Sequence, residues 1–260
     1  MAYDPILRHR MVEKLVVSLR GEVEAKKYYR FRVDRWYGGI ATADCVGCGL
    51  MCRFCWVADQ VMRRPTNVGE FYAPEAVADR LMYLAAERGV GQLRVSGGEP
   101  TIGRRHLIQL LDSLENRGRR FVLETNGILI ASEQGYAEEL AGYRLVEARV
   151  SLKGCDEQEF ATLTGAKPQG FTLQLEALER LSEAGVSCYP AVMSLQLKEG
   201  LVGLASRLRE INPELERNLE IEELILYPHV RRRLEEYGLS HSQYLERVQT
   251  RTPNLEFRVL

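Results

Sequence analysis

Segments of strand character alternate with segments of helical periodicity through most of this 260-residue chain, and no other feature limits its fold so strongly. Strand patterns fall at residues 39–44, 92–96, 120–125, 145–152, 187–193 and 222–227. Between them, Val77, Leu81 and Leu84 share a helical face that starts at Pro74 and stops at Gly89. Leu107, Leu110, Leu111 and Leu114 mark a second helix, and Leu175, Leu178 and Leu181 a third that ends at Gly185. Leu201, Leu204, Leu208 and Ile211 mark a fourth. Such alternation predicts an α/β fold with a parallel sheet, open or curled into a partial (β/α)6 barrel. Ligands bind such sheets at the C-terminal strand ends. Residues 39–230 form the barrel in this reading. Residues 1–38 are an N-terminal extension, and residues 231–260 a C-terminal segment with a helix over 235–249 and a strand over 256–260. The sequence leaves open whether that segment caps the barrel or pairs with the extension.

The strand ends carry the chemistry. Six cysteines stand at 45, 48, 52, 55, 155 and 188, four of them within eleven residues. Such clustering in a chain of this kind points to metal rather than to a disulfide framework. Cys48, Cys52 and Cys55 can give three thiolates to three irons of a cubane cluster and leave the fourth iron open. The alternatives are a tetrahedral zinc site completed by Cys45, or reduced cysteines packed as small hydrophobes. Lys plus Arg (35) balances Asp plus Glu (36), so net charge gives no argument for a nucleic-acid partner. No run of eighteen apolar residues exists, which predicts no membrane span, and the N-terminus has no secretory features. The expected location is cytoplasmic.

The cysteine segment CGLMCRFC resembles the Cys-x-x-x-Cys-x-aromatic-Cys signature of the radical S-adenosylmethionine (SAM) superfamily, and Gly97-Gly98-Glu99-Pro100 resembles that family's second signature. The resemblance covers roughly residues 39–230. It implies a radical SAM barrel with a [4Fe–4S] cluster on Cys48, Cys52 and Cys55, and SAM bound to the open iron. One electron, from a donor such as a ferredoxin or flavodoxin, then cleaves SAM to methionine and a 5′-deoxyadenosyl radical that abstracts a substrate hydrogen. Glu99 would accept from the methionyl ammonium, helped by backbone at Gly97 and Gly98, where glycine lets a ligand come close. Phe54 would lie beside the adenine. The pieces RVSGGEP, VLETNG, ARVSLKG and LILYPH look like the glycyl-radical-enzyme activating branch. Where that branch has aspartates, this chain has Glu124 and Ser151. Ser151 therefore marks a lost charge. Lys153 would pair with the SAM carboxylate, Asn126 with ribose or methionyl groups, and His229 with the ribose. Each of the three also has an ordinary reading, as a solvated lysine, a turn residue and a structural histidine.

Three substrate classes follow. The first is a backbone glycine of another protein. The second is RNA, suggested by Arg63-Arg64, Arg104-Arg105, Arg117 with Arg119-Arg120, and Arg231 to Arg233. To these the extension adds Lys26-Lys27, Arg30, Arg32 and Arg35 among aromatics. The third is a small molecule in cofactor or natural-product biosynthesis. A non-catalytic zinc protein is the alternative from a different class.

Overall fold

The computed structural model describes residues 2–195, 197–222, 224–239 and 258–259. Helix α1 (Pro5–Val16) begins with proline in its first turn, and Asp4 caps it by accepting from the Ile6 and Leu7 amides. A hairpin follows, of β1 (Val17–Arg20) and β2 (Val23–Asp34). The extension is therefore not peripheral to the sheet: β2 pairs antiparallel with β3 (Ile40–Cys45) over most of its length.

From β3 onward the expected alternation is present. Short helix α2 (Asp59–Arg63) and strand β4 (Glu70–Tyr72), which pairs with β2, precede α3 (Pro74–Arg88). Then come β5 (Gln92–Gly97), α4 (Arg104–Leu114), β6 (Arg120–Thr125), α5 (Ile128–Ser132), α6 (Tyr136–Ala141) and β7 (Val146–Lys153). Helices α7 (Glu157–Thr164) and α8 (Gln169–Glu183) lead to β8 (Ser187–Met193), and α9 (Leu197–Ile211) and α10 (Pro213–Arg217) to β9 (Glu220–Ile221). Helix α11 (Pro228–Glu236) and β10 (Arg258–Val259) complete the described elements. Strands β3, β5, β6, β7, β8 and β9 lie side by side and parallel in that order, as an open partial barrel.

Two C-terminal expectations need correction. The sixth strand was expected over 222–227, but the ladder is confined to Glu220–Ile221, and one further bond runs from the Glu222 amide to the Val192 carbonyl. Between it and α11 no further strand is assigned among the described residues; Leu224 is buried and Tyr227 precedes the helix that Pro228 starts. The helix expected over 235–249 begins at Pro228 instead and is ended by Gly238 (φ +65°). Residues 240–249 of that expectation lie outside the described residues. Arg258–Val259 pairs with β9, not with the extension.

The sheet has two chemically different faces because side chains alternate along each strand. Ala41, Ala43 and Cys45, Leu93 and Val95, and Ala148, Val150 and Leu152 join one hydrophobic core under the helices. The intervening Arg94 and Ser96, Glu124, and Arg149, Ser151 and Lys153 line the concave side, around a cavity of ≈ 560 Å³.

Candidate functional site

Cys48, Cys52 and Cys55 all line this cavity. They sit on a loop after β3 that is tied down from several directions. The Met51 amide donates to Tyr3 Oη (2.8 Å) and the Arg53 amide to the Leu163 carbonyl (2.8 Å). Gly49 lies against the buried His9 ring, so a Cβ there would stand 2.0 Å from His9 Nδ1. The neighbouring GGEP turn docks on the same loop. The Gly98 amide donates to the Cys45 carbonyl (2.8 Å) and the Glu99 amide to the Gly47 carbonyl (2.7 Å). A Cβ on Gly98 would fall 2.3 Å from that Gly47 oxygen. The close approach that glycine permits here is thus between two protein backbones.

Burial pushes all three thiols up, Cys52 to about 12. For Cys48, neighbouring Glu99, Cys52 and Cys55 add to the effect. Thiols so placed resist ionising alone, and a bound cation reverses that balance because it deprotonates its ligands. Cys45, the fourth thiol that zinc would require, is fully buried on the opposite face beside Tyr28. Three separate thiols on one wall instead suit a polynuclear group that takes one sulfur per iron. The residues present fit an iron–sulfur cluster better than zinc.

Glu99 is 2% exposed and lines the cavity. Its Oε1 accepts from the Thr101 amide (3.1 Å), Thr101 Oγ1 (2.7 Å) and Thr125 Oγ1 (2.7 Å), and its Oε2 from the Asn126 amide (2.8 Å). All four donors are uncharged. Asn126 Nδ2 also reaches His9 Nε2 (3.2 Å) and lies 3.7 Å from Cys48 Sγ. His9 Nδ1 lies 2.7 Å from the Pro5 carbonyl, so that nitrogen carries the proton and Nε2 accepts. Burial lowers the His9 pKa and favours this neutral form.

Elsewhere on the cavity wall the charges are paired. Glu124 accepts from Arg94 Nη1 (2.8 Å), Tyr37 Oη (2.7 Å) and Ser96 Oγ (3.0 Å), while Arg94 Nη2 also reaches Asp34 (2.5 Å). Burial alone would raise the Glu124 pKa, but Arg94 and Arg149 outweigh it and hold it down at about 2. Arg149 pairs with Glu220 and Glu222. Ser151 donates to Glu222 Oε1 (2.5 Å) and accepts from Lys153 Nζ. Lys153 Nζ also lies 5.6 Å from the Phe54 ring centroid.

The structure therefore brings Phe54, Gly97, Gly98, Glu99, Asn126, Ser151 and Lys153 to the same cavity as the three cysteines. His229 is not itself a lining residue but touches two that are: its Nε2 meets the Trp56 carbonyl (2.8 Å) and its ring stacks on Tyr227. Sequence reasoning missed three buried cations that fasten the loops around the site. Lys26 donates to the carbonyls of Glu99, Pro100 and Ile102, and Lys27 to those of Pro65, Thr66 and Val68. Arg233 binds those of Cys52, Cys55 and Val57. Lys26 and Lys27 are thus not the phosphate-facing pair that their sequence suggested. The one available signal was their place on a strand pattern whose neighbours face inward.

Fold and site together define the class. Residues 44–196 match the model of the radical SAM superfamily, and the chain belongs to that superfamily, whose enzymes use a [4Fe–4S] cluster, SAM and an external electron donor. Among curated relatives, a probable GTP 3′,8-cyclase of Sulfurisphaera tokodaii is 29% identical over 140 residues, covering 54% of this chain and 41% of the relative. Molybdenum cofactor biosynthesis protein moc-5 of Caenorhabditis elegans is 27% identical over 134 residues, covering 51% of this chain and 21% of the relative. The chain spans less than half the length of either relative. In fold, it is similar to Streptococcus suis SuiB bound to S-adenosylmethionine (TM-score 0.57, 21% identity), over 83% of this chain and 48% of SuiB. Neither relative is named as a glycyl-radical activating enzyme, and moc-5 is named for molybdenum cofactor biosynthesis. Among the described residues no helix is long and apolar enough to cross a membrane.

Proposed function

We propose that this protein is a radical SAM enzyme that abstracts hydrogen from a small polar molecule, in chemistry of the cofactor-biosynthesis kind. Cys48, Cys52 and Cys55 would hold the cluster. When bound, cluster and SAM supply the one-electron cleavage that yields methionine and a 5′-deoxyadenosyl radical. Glu99, bonded only by uncharged protein donors, would accept from the methionyl ammonium. Lys153 stands opposite as a cation for the carboxylate, with Phe54 beneath its ammonium. A donor of the ferredoxin or flavodoxin type would deliver the electron.

The observation that carries the substrate class is the cavity itself. Its wall carries an ionic lattice of Asp34, Arg94, Glu124, Arg149 and Glu222, suited to polar groups of a substrate, beside apolar residues such as Trp56, Val61 and Met193. The RNA reading loses part of its support, since Lys26, Lys27 and Arg233 are buried and Arg30 and Arg32 pair with Asp44. The activating-enzyme reading keeps the sequence pieces VLETNG and LILYPH as its support. One experiment separates the two. Reduced protein is incubated anaerobically with SAM and either a deuterated small-metabolite extract or a deuterated protein fraction. Deuterium in 5′-deoxyadenosine from the metabolite extract alone is expected. Transfer from the protein fraction alone contradicts the small-molecule assignment.

A further inference from the structure

Arg233 heads the list of large side chains that are fully buried, at 1% exposure, yet it stands on α11, beyond the stretch that matches the superfamily. Its guanidinium reaches back across 181 residues to the Cys52 carbonyl (3.3 Å), and further to those of Cys55 and Val57 (3.2 Å for Val57). The Nε also meets the His229 carbonyl (3.3 Å), within its own helix. Carbonyl dipoles satisfy the N–H groups but do not cancel the charge. The nearest anion is Asp59, whose Oδ1 lies 3.3 Å from Arg233 Nε. That carboxylate is 27% exposed and shared with Arg232, whose Nη2 lies 2.5 Å from Oδ2, and with the more distant Arg63 (3.7 Å). A buried and incompletely countered positive charge therefore sits on the backbone of two of the three cysteines.

We propose that Arg233 is a positioning residue that sets the reduction potential of the cluster held on this loop, with Asp59 as its opposing charge. The inference rests on the assignment of Cys48, Cys52 and Cys55 as cluster ligands. Reduction of a [4Fe–4S] cluster from 2+ to 1+ adds one electron taken from an external donor. A fixed cation nearby in a region of low dielectric favours the form with more negative charge. Arg233 thereby raises the potential, and Asp59 tempers it. A residue that merely braced the loop would give no such pair of opposite signs.

The test is an electron-paramagnetic-resonance redox titration of anaerobically reconstituted wild type, Arg233→Lys, Arg233→Met and Asp59→Asn. Arg233→Met is expected to lower the equilibrium constant for cluster reduction at least tenfold, a fall of about 59 mV for a one-electron couple. Arg233→Lys, which keeps the charge, should stay within about threefold of wild type, and Asp59→Asn should move severalfold in the opposite direction. Since Arg233→Met also unties three carbonyls, Asp59→Asn decides the matter if the methionine variant sheds its iron. An Asp59→Asn potential equal to or below wild type overturns the inference. So does an Arg233→Met cluster with the wild-type potential. Wild-type protein that takes up no iron overturns the ligand assignment itself, a result distinct from either.

Discussion

Glu99 and Glu124 are carboxylates on the wall of one cavity, and the charge of their hydrogen-bond donors sets them apart. Glu99 is held by two threonine hydroxyls and two backbone amides, all neutral, with no ion pair among the described residues. Glu124 is held by the Arg94 guanidinium, a tyrosine and a serine. Neutral donors make burial of a carboxylate tolerable without consuming its charge, whereas a guanidinium consumes it. One acid is left able to receive a cationic group of a ligand, and the other braces the wall. On the basic side, Arg94 and Arg149 are each locked between two acids, while Lys153 faces Ser151, the Phe54 ring and the charge of Glu222.

The largest expected effect falls on the bracing side. Glu124 has its folded pKa depressed to about 2 from 4.5. It therefore contributes stability that is fully present above about pH 4.5 and is lost as pH falls toward about 2. At 1.36 kcal/mol per unit this is on the order of 3 kcal/mol. Glu124→Gln should lose about that much in denaturant unfolding at pH 7 and should flatten the stability profile between about pH 4.5 and 2. A variant whose acid profile matches wild type would remove the distinction between the two acids. Next comes Glu99→Gln, which should weaken SAM binding about thirtyfold in equilibrium dialysis, corresponding to about 2 kcal/mol for a charge-assisted hydrogen bond. Its stability should change by less than Glu124→Gln does. If Glu124→Gln impairs SAM binding as much as Glu99→Gln, the contrast is broken. A smaller change is expected from Thr125→Val, which removes one donor to Glu99 Oε1 and should cost about 1–2 kcal/mol of stability. Smallest is Ser151→Ala, which cuts the hydroxyl between Lys153 and Glu222 and should weaken SAM binding only a fewfold, about 1 kcal/mol or less.

The legible parts of this molecule are those with a period or a spacing. Leucines at helical intervals placed α3, α4 and α8, and the strand segments read at 120–125 and 145–152 match β6 and β7 closely. Cysteine spacing and GGEP led to one cavity from two strand ends. Single buried polar residues carry no period, so His9, Lys26 and Arg233 could not be read this way. Each acts on a carbonyl or ring brought near by the fold, 181 residues away in the case of Arg233 and Cys52. The extension was read by its charge, yet β2 is a strand of the sheet whose lysines turn inward. The run over 222–227 has strand composition, yet no strand is assigned there among the described residues; composition cannot tell paired apolar backbone from unpaired.

Four single alanine variants bear most directly on the site: Cys45, Cys48, Cys52 and Cys55, each reconstituted anaerobically, assayed for iron, then reduced in the presence of SAM. Alanine at 48, 52 or 55 should abolish stable cluster iron and 5′-deoxyadenosine formation, while alanine at 45 should leave both intact. Retention of iron and SAM cleavage in the Cys52 variant, or their loss in the Cys45 variant, would contradict a cluster held by three thiolates on the cavity wall.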